Sequence, residues 1–165
     1  MTSITTHTGS RPVRTVGLVA MIAGILMVLV GGAAWATVSS QLAAQNITVA
    51  DDAPFLAGDT VDGPFSAFAQ AEIIDQHSLD ATGGQTFAEL DREDPLRETA
   101  LNGSLLRASL FTSILAFGVS ALVMGLGVLF GLMGWTLRRI GAGTESTTIL
   151  EPTTVETRER ELATA

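Results

Sequence analysis

The chain of 165 residues has no cysteine, no lysine and no tyrosine, and only 16% of its residues are charged. Without cysteine there is no disulfide, no thiolate metal site and no thiol nucleophile. Without lysine, nine arginines make up the whole cationic complement, a composition that accompanies GC-rich genomes. Charge is scarcer than the roughly 25% of ordinary soluble domains, and it is unevenly placed. Residues 16–38 and 108–137 carry no charged side chain across 23 and 30 positions, where about 20 apolar residues suffice to cross a bilayer. Two transmembrane helices are therefore expected. The remaining segments, 1–15, 39–107 and 138–165, exclude a large enzyme core, and only the middle one approaches the size of a small domain.

The formal charge of -8 is concentrated in residues 39–107, where twelve acids face Arg92, Arg97 and Arg107. So acidic a segment argues against a nucleic-acid partner, because the phosphate backbone is bound through clustered cations. Arg11 and Arg14 precede the first apolar run, and Arg138 and Arg139 follow the second. The positive-inside rule then expects both termini in the cytoplasm and the acidic segment outside. Arg107 counts slightly against this orientation, because it sits at the outer edge of the second span, where a long side chain can snorkel to the headgroups. A rival reading takes the first run as a signal peptide with a cleavage site at Ala34-Trp35-Ala36, although its apolar stretch exceeds the usual 7 to about 15 residues.

Within the spans, small residues recur. Gly17, Gly24 and Gly31 repeat every seven residues in the first, and Ser113, Ser120, Gly127 and Gly134 in the second. A seven-residue step returns to nearly the same helix face, and membrane helices associate through close packing at small residues. The two stripes are expected to face one another in an antiparallel hairpin. A GxxxG formed by Gly127 and Gly131 is then left for a partner; the bland alternative is the ordinary abundance of glycine in membrane helices. Neither span contains an ionisable residue, which argues against a proton relay, a gating charge or a buried ion site. Trp35 and Trp135 are expected to act as interfacial anchors.

The external segment is expected to form a small, mainly helical cap. Residues 38–49 alternate weakly, as a short strand does, until Asp51-Asp52-Ala53-Pro54 interrupts them. Asp51, Asp52, Asp59 and Asp62 lack the spacing of a calcium loop and read as solvated acids. Asp62-Gly63-Pro64 marks a helix start, with Phe65, Phe68, Glu72 and Ile73 on one face, extended by Ile74 and Leu79. Gly83-Gly84 ends it, and Thr86 to Glu89 has the spacing of a capping box. Asp94-Pro95 opens a further helix leading toward the second span. So small a core needs support from the membrane helices or from a partner. Asn46-Ile47-Thr48 and Asn102-Gly103-Ser104 match the glycosylation pattern, which has no meaning in a bacterium. The Thr- and Glu-rich tail, with Thr147, Thr148, Thr153 and Thr154, reads as a disordered spacer.

The run Thr82-Gly83-Gly84, Glu89-Leu90, Glu93-Asp94-Pro95 and Asn102-Gly103-Ser104-Leu105-Leu106-Arg107-Ala108-Ser109-Leu110-Phe111-Thr112-Ser113 resembles a family of small actinobacterial two-span membrane proteins. Members are commonly catalogued as aromatic ring-opening dioxygenases. The resemblance implies a bacterial inner-membrane protein and carries over no catalytic residue. A non-haem iron oxygenase needs two histidines and a carboxylate on one face, whereas His7 and His77 fall on opposite sides of the membrane in the expected topology. The expectation is an all-α, non-catalytic membrane hairpin without cofactor or small-molecule substrate. Its surroundings are the lipid bilayer and a membrane-protein partner or a second copy, as an accessory component of a larger envelope complex. The alternatives are an envelope sensor signalling through the Thr-rich tail and the catalogued dioxygenase.

Overall fold

A computed structural model describes residues 10–143 as three helices, α1 (Ser10–Ala43), α2 (Pro64–Ala81) and α3 (Arg97–Gly143). The expectations for His7 and the tail threonines lie outside the described residues. Pro12 falls in the first turn of α1, where its missing N–H costs nothing, and no proline follows in α1 or anywhere in α3. Both helices consequently run unbroken through their apolar stretches, and both are long and apolar enough to cross a membrane. At 1.5 Å per residue α1 is about 51 Å long and α3 about 70 Å, against about 30 Å of hydrocarbon. The helix expected from Asp94-Pro95 and the second apolar run are one element.

α1 and α3 pack along each other, and α2 packs on the N-terminal part of α3. α2 starts at the Gly63 N-cap with Pro64 in its first turn, and the Ser66 hydroxyl accepts hydrogen bonds from the Asp62 and Gly63 amides at 3.2 Å. It stops where Gly83 and Gly84 take φ of 66° and 85°, left-handed values that only glycine adopts without strain. The Gly84 amide returns to the Leu79 carbonyl at 2.7 Å.

Three local expectations are corrected. Among the described residues there is no strand, only an antiparallel bridge between Thr48 and Thr60, because residues 38–43 belong to α1 and the Asp51-to-Pro54 break follows at once. Thr86 and Glu89 open no helix: the Glu89 carboxylate accepts from the Thr86 amide and hydroxyl at 2.8 Å, yet Pro95 bars helix at Asp94 and leaves too short a run to nucleate one. The buried face of α2 is made of Ser66, Ala67, Ala69, Ala71 and Ile73, while Phe65 is 76% exposed. Short side chains let α2 lie close to α3; Phe65 projects beyond the contact, while the Phe68 ring meets that of Phe111, centroids 6.1 Å apart. The cap's core joins Val49, Val61, Ala67, Ala69 and Ala71 to Leu110 of α3, with Leu42, Phe111 and Ile114 packed against it. Cap and hairpin thus share one core.

Candidate interhelical and bilayer interface

The seam between α1 and α3 is built at glycine. A Cβ on Gly17 would lie 2.8 Å from the Gly134 carbonyl oxygen. On Gly24 it would meet the Gly127 carbonyl oxygen and lie 2.6 Å from the Gly131 amide nitrogen, and on Gly31 it would lie 3.0 Å from the Ser120 carbonyl oxygen. Each seven-residue step up α1 is matched by seven residues down α3, so the helices run antiparallel. Such backbone approach gains dispersion contacts that bulkier residues would hold apart. Ser120 is buried and bonds back to the Ala116 carbonyl at 2.8 Å. Ser113, the outermost member of its stripe, is half-buried and bonds to Ser109 at 3.3 Å. The GxxxG is divided: Gly127 faces α1, whereas a Cβ on Gly131 would meet nothing within 4 Å. Gly131 instead opens onto a shallow apolar groove with Gly24, Ile25, Val28, Leu29, Gly127 and Val128.

Away from the seam both helices are apolar at the surface. Val19, Leu26 and Val30 of α1 and Leu115, Leu122 and Leu129 of α3 are among the exposed large side chains. The same register sets Trp135 level with Val16 and Trp35 level with Ala116, about 28 Å apart along the axis. Trp135 is exposed, with the Arg139 guanidinium 4.5 Å from its ring centroid. Trp35 differs: half-buried, it meets the fully buried Phe117 edge-on at 4.7 Å and so packs in the seam as well. Ala34 and Ala36 flank it inside unbroken helix.

The antiparallel arrangement brings Arg11 and Arg14 of α1 to the same end as Arg138 and Arg139 of α3, and the methylenes of Arg138 lie over Gly17. The opposite end carries the acidic cap. Arg107 does not reach out alone as a snorkelling side chain; its guanidinium binds Asp75 at 3.2 Å and Glu72 at 3.6 Å and lies 5.4 Å from the Phe111 ring centroid. Two carboxylates one turn apart on α2 are in reach there, a tertiary juxtaposition that no local pattern announces.

Sequence reasoning also missed Gly103, which entered only within a glycosylation pattern and within the run that carries the family resemblance. A Cβ there would lie 2.6 Å from the Ser78 Cβ, which makes Gly103 a point of close approach between α2 and α3. No repeat flagged it. Asp52 is held by His77, Nε2 to Oδ2 at 2.7 Å, and this hydrogen bond holds the Asp52 carboxyl below the usual carboxylate range. Glu89 is lowered likewise by its bonds from Thr86, the amide first. Among the described residues no three His, Asp or Glu side chains gather as a metal site would require. Comparison of the chain with protein-family models, curated proteins and solved structures finds no match in any of the three.

Proposed function

We propose that the chain is a non-catalytic membrane hairpin of a bacterial plasma membrane, with the arginine-bearing end in the cytoplasm and the acidic cap outside, serving as an accessory subunit of a larger membrane complex. The observation that carries this reading is the glycine seam combined with its surroundings. Two helices zipped at backbone distance leave an apolar surface on every other side, and such a surface is stable in lipid and unstable in water. The arginines at one end agree with the positive-inside rule. Gly118 and Gly125, whose added Cβ atoms would meet nothing, leave a second smooth strip on α3 that a partner helix can approach.

The test is purification of the full chain in mild detergent, with and without Gly125→Leu. The reading expects membrane extraction only by detergent and a stoichiometric partner lost in the variant while the hairpin stays folded. Isolation as a single copy with no partner, unchanged by the substitution, overturns the accessory role. The unbroken α3 favours one further reading, an envelope sensor, which requires phosphorylation of the tail to change when the external segment is perturbed.

A further inference from the structure

α2 runs antiparallel to α3, as three contacts at successive levels show. Gly103 meets Ser78, Arg107 binds Asp75, and Phe111 meets Phe68 with ring centroids 6.1 Å apart. The N-terminal end of α2 therefore points down the hairpin, toward its apolar surface, while its C-terminal end points away. Phe55 of the preceding loop joins the same row, 6.3 Å from Phe68. Phe55, Leu56, Phe65 and Phe68 are all exposed, and they include three of the four phenylalanines of residues 39–107, a segment with a strong excess of acids. Leu56 is held at a φ of 55°, a left-handed conformation uncommon for a branched side chain.

Their height can be computed. Measured up α3 from Trp135 at the arginine end, about 30 Å of hydrocarbon ends near Leu115. Phe111 stands about 6 Å higher, within a headgroup layer about 7 Å thick. Phe68 and Phe55 share that layer, and Phe65, three residues further down α2, lies about 4.5 Å lower, at the boundary between headgroups and acyl chains. This is where aromatic side chains concentrate in membrane proteins. Asp59 and Asp62, exposed in the same connection, limit the depth, because a carboxylate is costly within hydrocarbon.

We infer that the cap rests on the outer leaflet, with Phe55, Leu56, Phe65 and Phe68 inserted among the lipid headgroups. The inference builds on the membrane reading above. It makes the cap a lipid-binding surface continuous with the apolar belt of the hairpin and gives α2 a second support beside α3. Part of the segment between the spans is then interfacial and unavailable to water.

The cysteine-free chain permits a direct test. Single-cysteine variants Phe65→Cys, Phe55→Cys, Leu122→Cys and Asp80→Cys are labelled with a small fluorophore in phosphatidylethanolamine–phosphatidylglycerol vesicles. Quenching is compared between lipids carrying a nitroxide near the headgroup, lipids carrying it deep in the chain, and aqueous iodide. The expected result is loss of emission at positions 65 and 55 with the shallow nitroxide, at 122 with the deep one, and at 80 with iodide alone. Iodide quenching at 65 and 55 equal to that at 80, without lipid quenching, overturns the inference and leaves the membrane reading intact. Protection from all quenchers with label-to-label contact between chains overturns it in favour of a second copy covering the patch. Failure of the deep nitroxide at 122 removes the membrane reading itself.

Discussion

An added methyl at Gly24 would meet the Gly127 carbonyl and the Gly131 amide, backbone atoms that cannot swing aside as a side chain does. Gly24→Ala should therefore destabilise the hairpin by about 1 to 3 kcal/mol, the usual cost of overpacking. Gly125→Ala, facing open space, should be neutral or slightly stabilising, because alanine favours helix over glycine by up to about 1 kcal/mol. Thermal unfolding in detergent micelles distinguishes the two, and disulfide formation between Ile25→Cys and Val128→Cys, which line one groove, should fall in the Gly24 variant alone. A second residue-scale prediction concerns acid. The Asp52 carboxyl is lowered in the folded chain by its bond from His77, so the stabilisation is complete above the unfolded carboxylate value of about pH 4 and is lost as pH falls through the lower folded value. Amide protection in the loop that carries Asp52, taken relative to the intrinsic exchange rate at each pH, should hold down to about pH 4 and fall below it. Asp52→Asn should remove that acid-side change.

The contact between α2 and α3 combines an ion pair and a close approach of unequal weight. Arg107 is partly exposed with both its partners, and such pairs contribute about 0 to 1 kcal/mol. Gly103 has no slack, since the Ser78 Cβ cannot retreat without moving its backbone. Gly103→Val should release α2, seen as faster amide exchange over Pro64–Ala81 with exchange in α1 unchanged. Slow exchange retained in α2 would show that the alanine face alone holds it. What could be read from sequence at this scale was whatever a local rule governs. Gly63-Pro64 and Gly83-Gly84 mark α2 because they act on their own φ and N–H groups, and the seven-residue stripes mark the seam because a regular helix turns spacing into a face. The expected face of α2 holds at Ile73, which is buried, and at Ile74, which packs on the core, but alanines take the place expected for Phe65, a result decided by how closely α3 approaches. Arg107, Gly103 and the displacement of Trp35 into the seam were hidden for the same reason. Each depends on a neighbour distant in sequence.

Across the described residues, charge and apolar surface are arranged along one axis, with Arg11, Arg14, Arg138 and Arg139 at one end and the acidic cap at the other. Fusion reporters check this: a cytoplasm-dependent reporter should be active after Arg139 and an export-dependent one at Gly83, and the opposite pattern would invert the proposed orientation. α3 carries both contacts of the fold on one uninterrupted helix, gripping α2 at Gly103, Arg107 and Phe111 and gripping α1 at Ser120, Gly127 and Gly134. The two grips are therefore locked in angular phase, and their phase can be changed without altering any contacting residue. One alanine inserted after Leu115 would rotate the cap by about 100° around α3, taking the shared core off Leu42 of α1. An insertion of seven would restore the direction to within about 20° while raising the cap by about 10 Å. The first variant should lose protection in α2 and the second should keep it where α2 rests on α3, with the phenylalanines lifted clear of the lipid. In the proposed membrane setting the bilayer thickness and the helical repeat would thus act as two independent rulers on a single helix, one setting the height of the cap and the other its bearing.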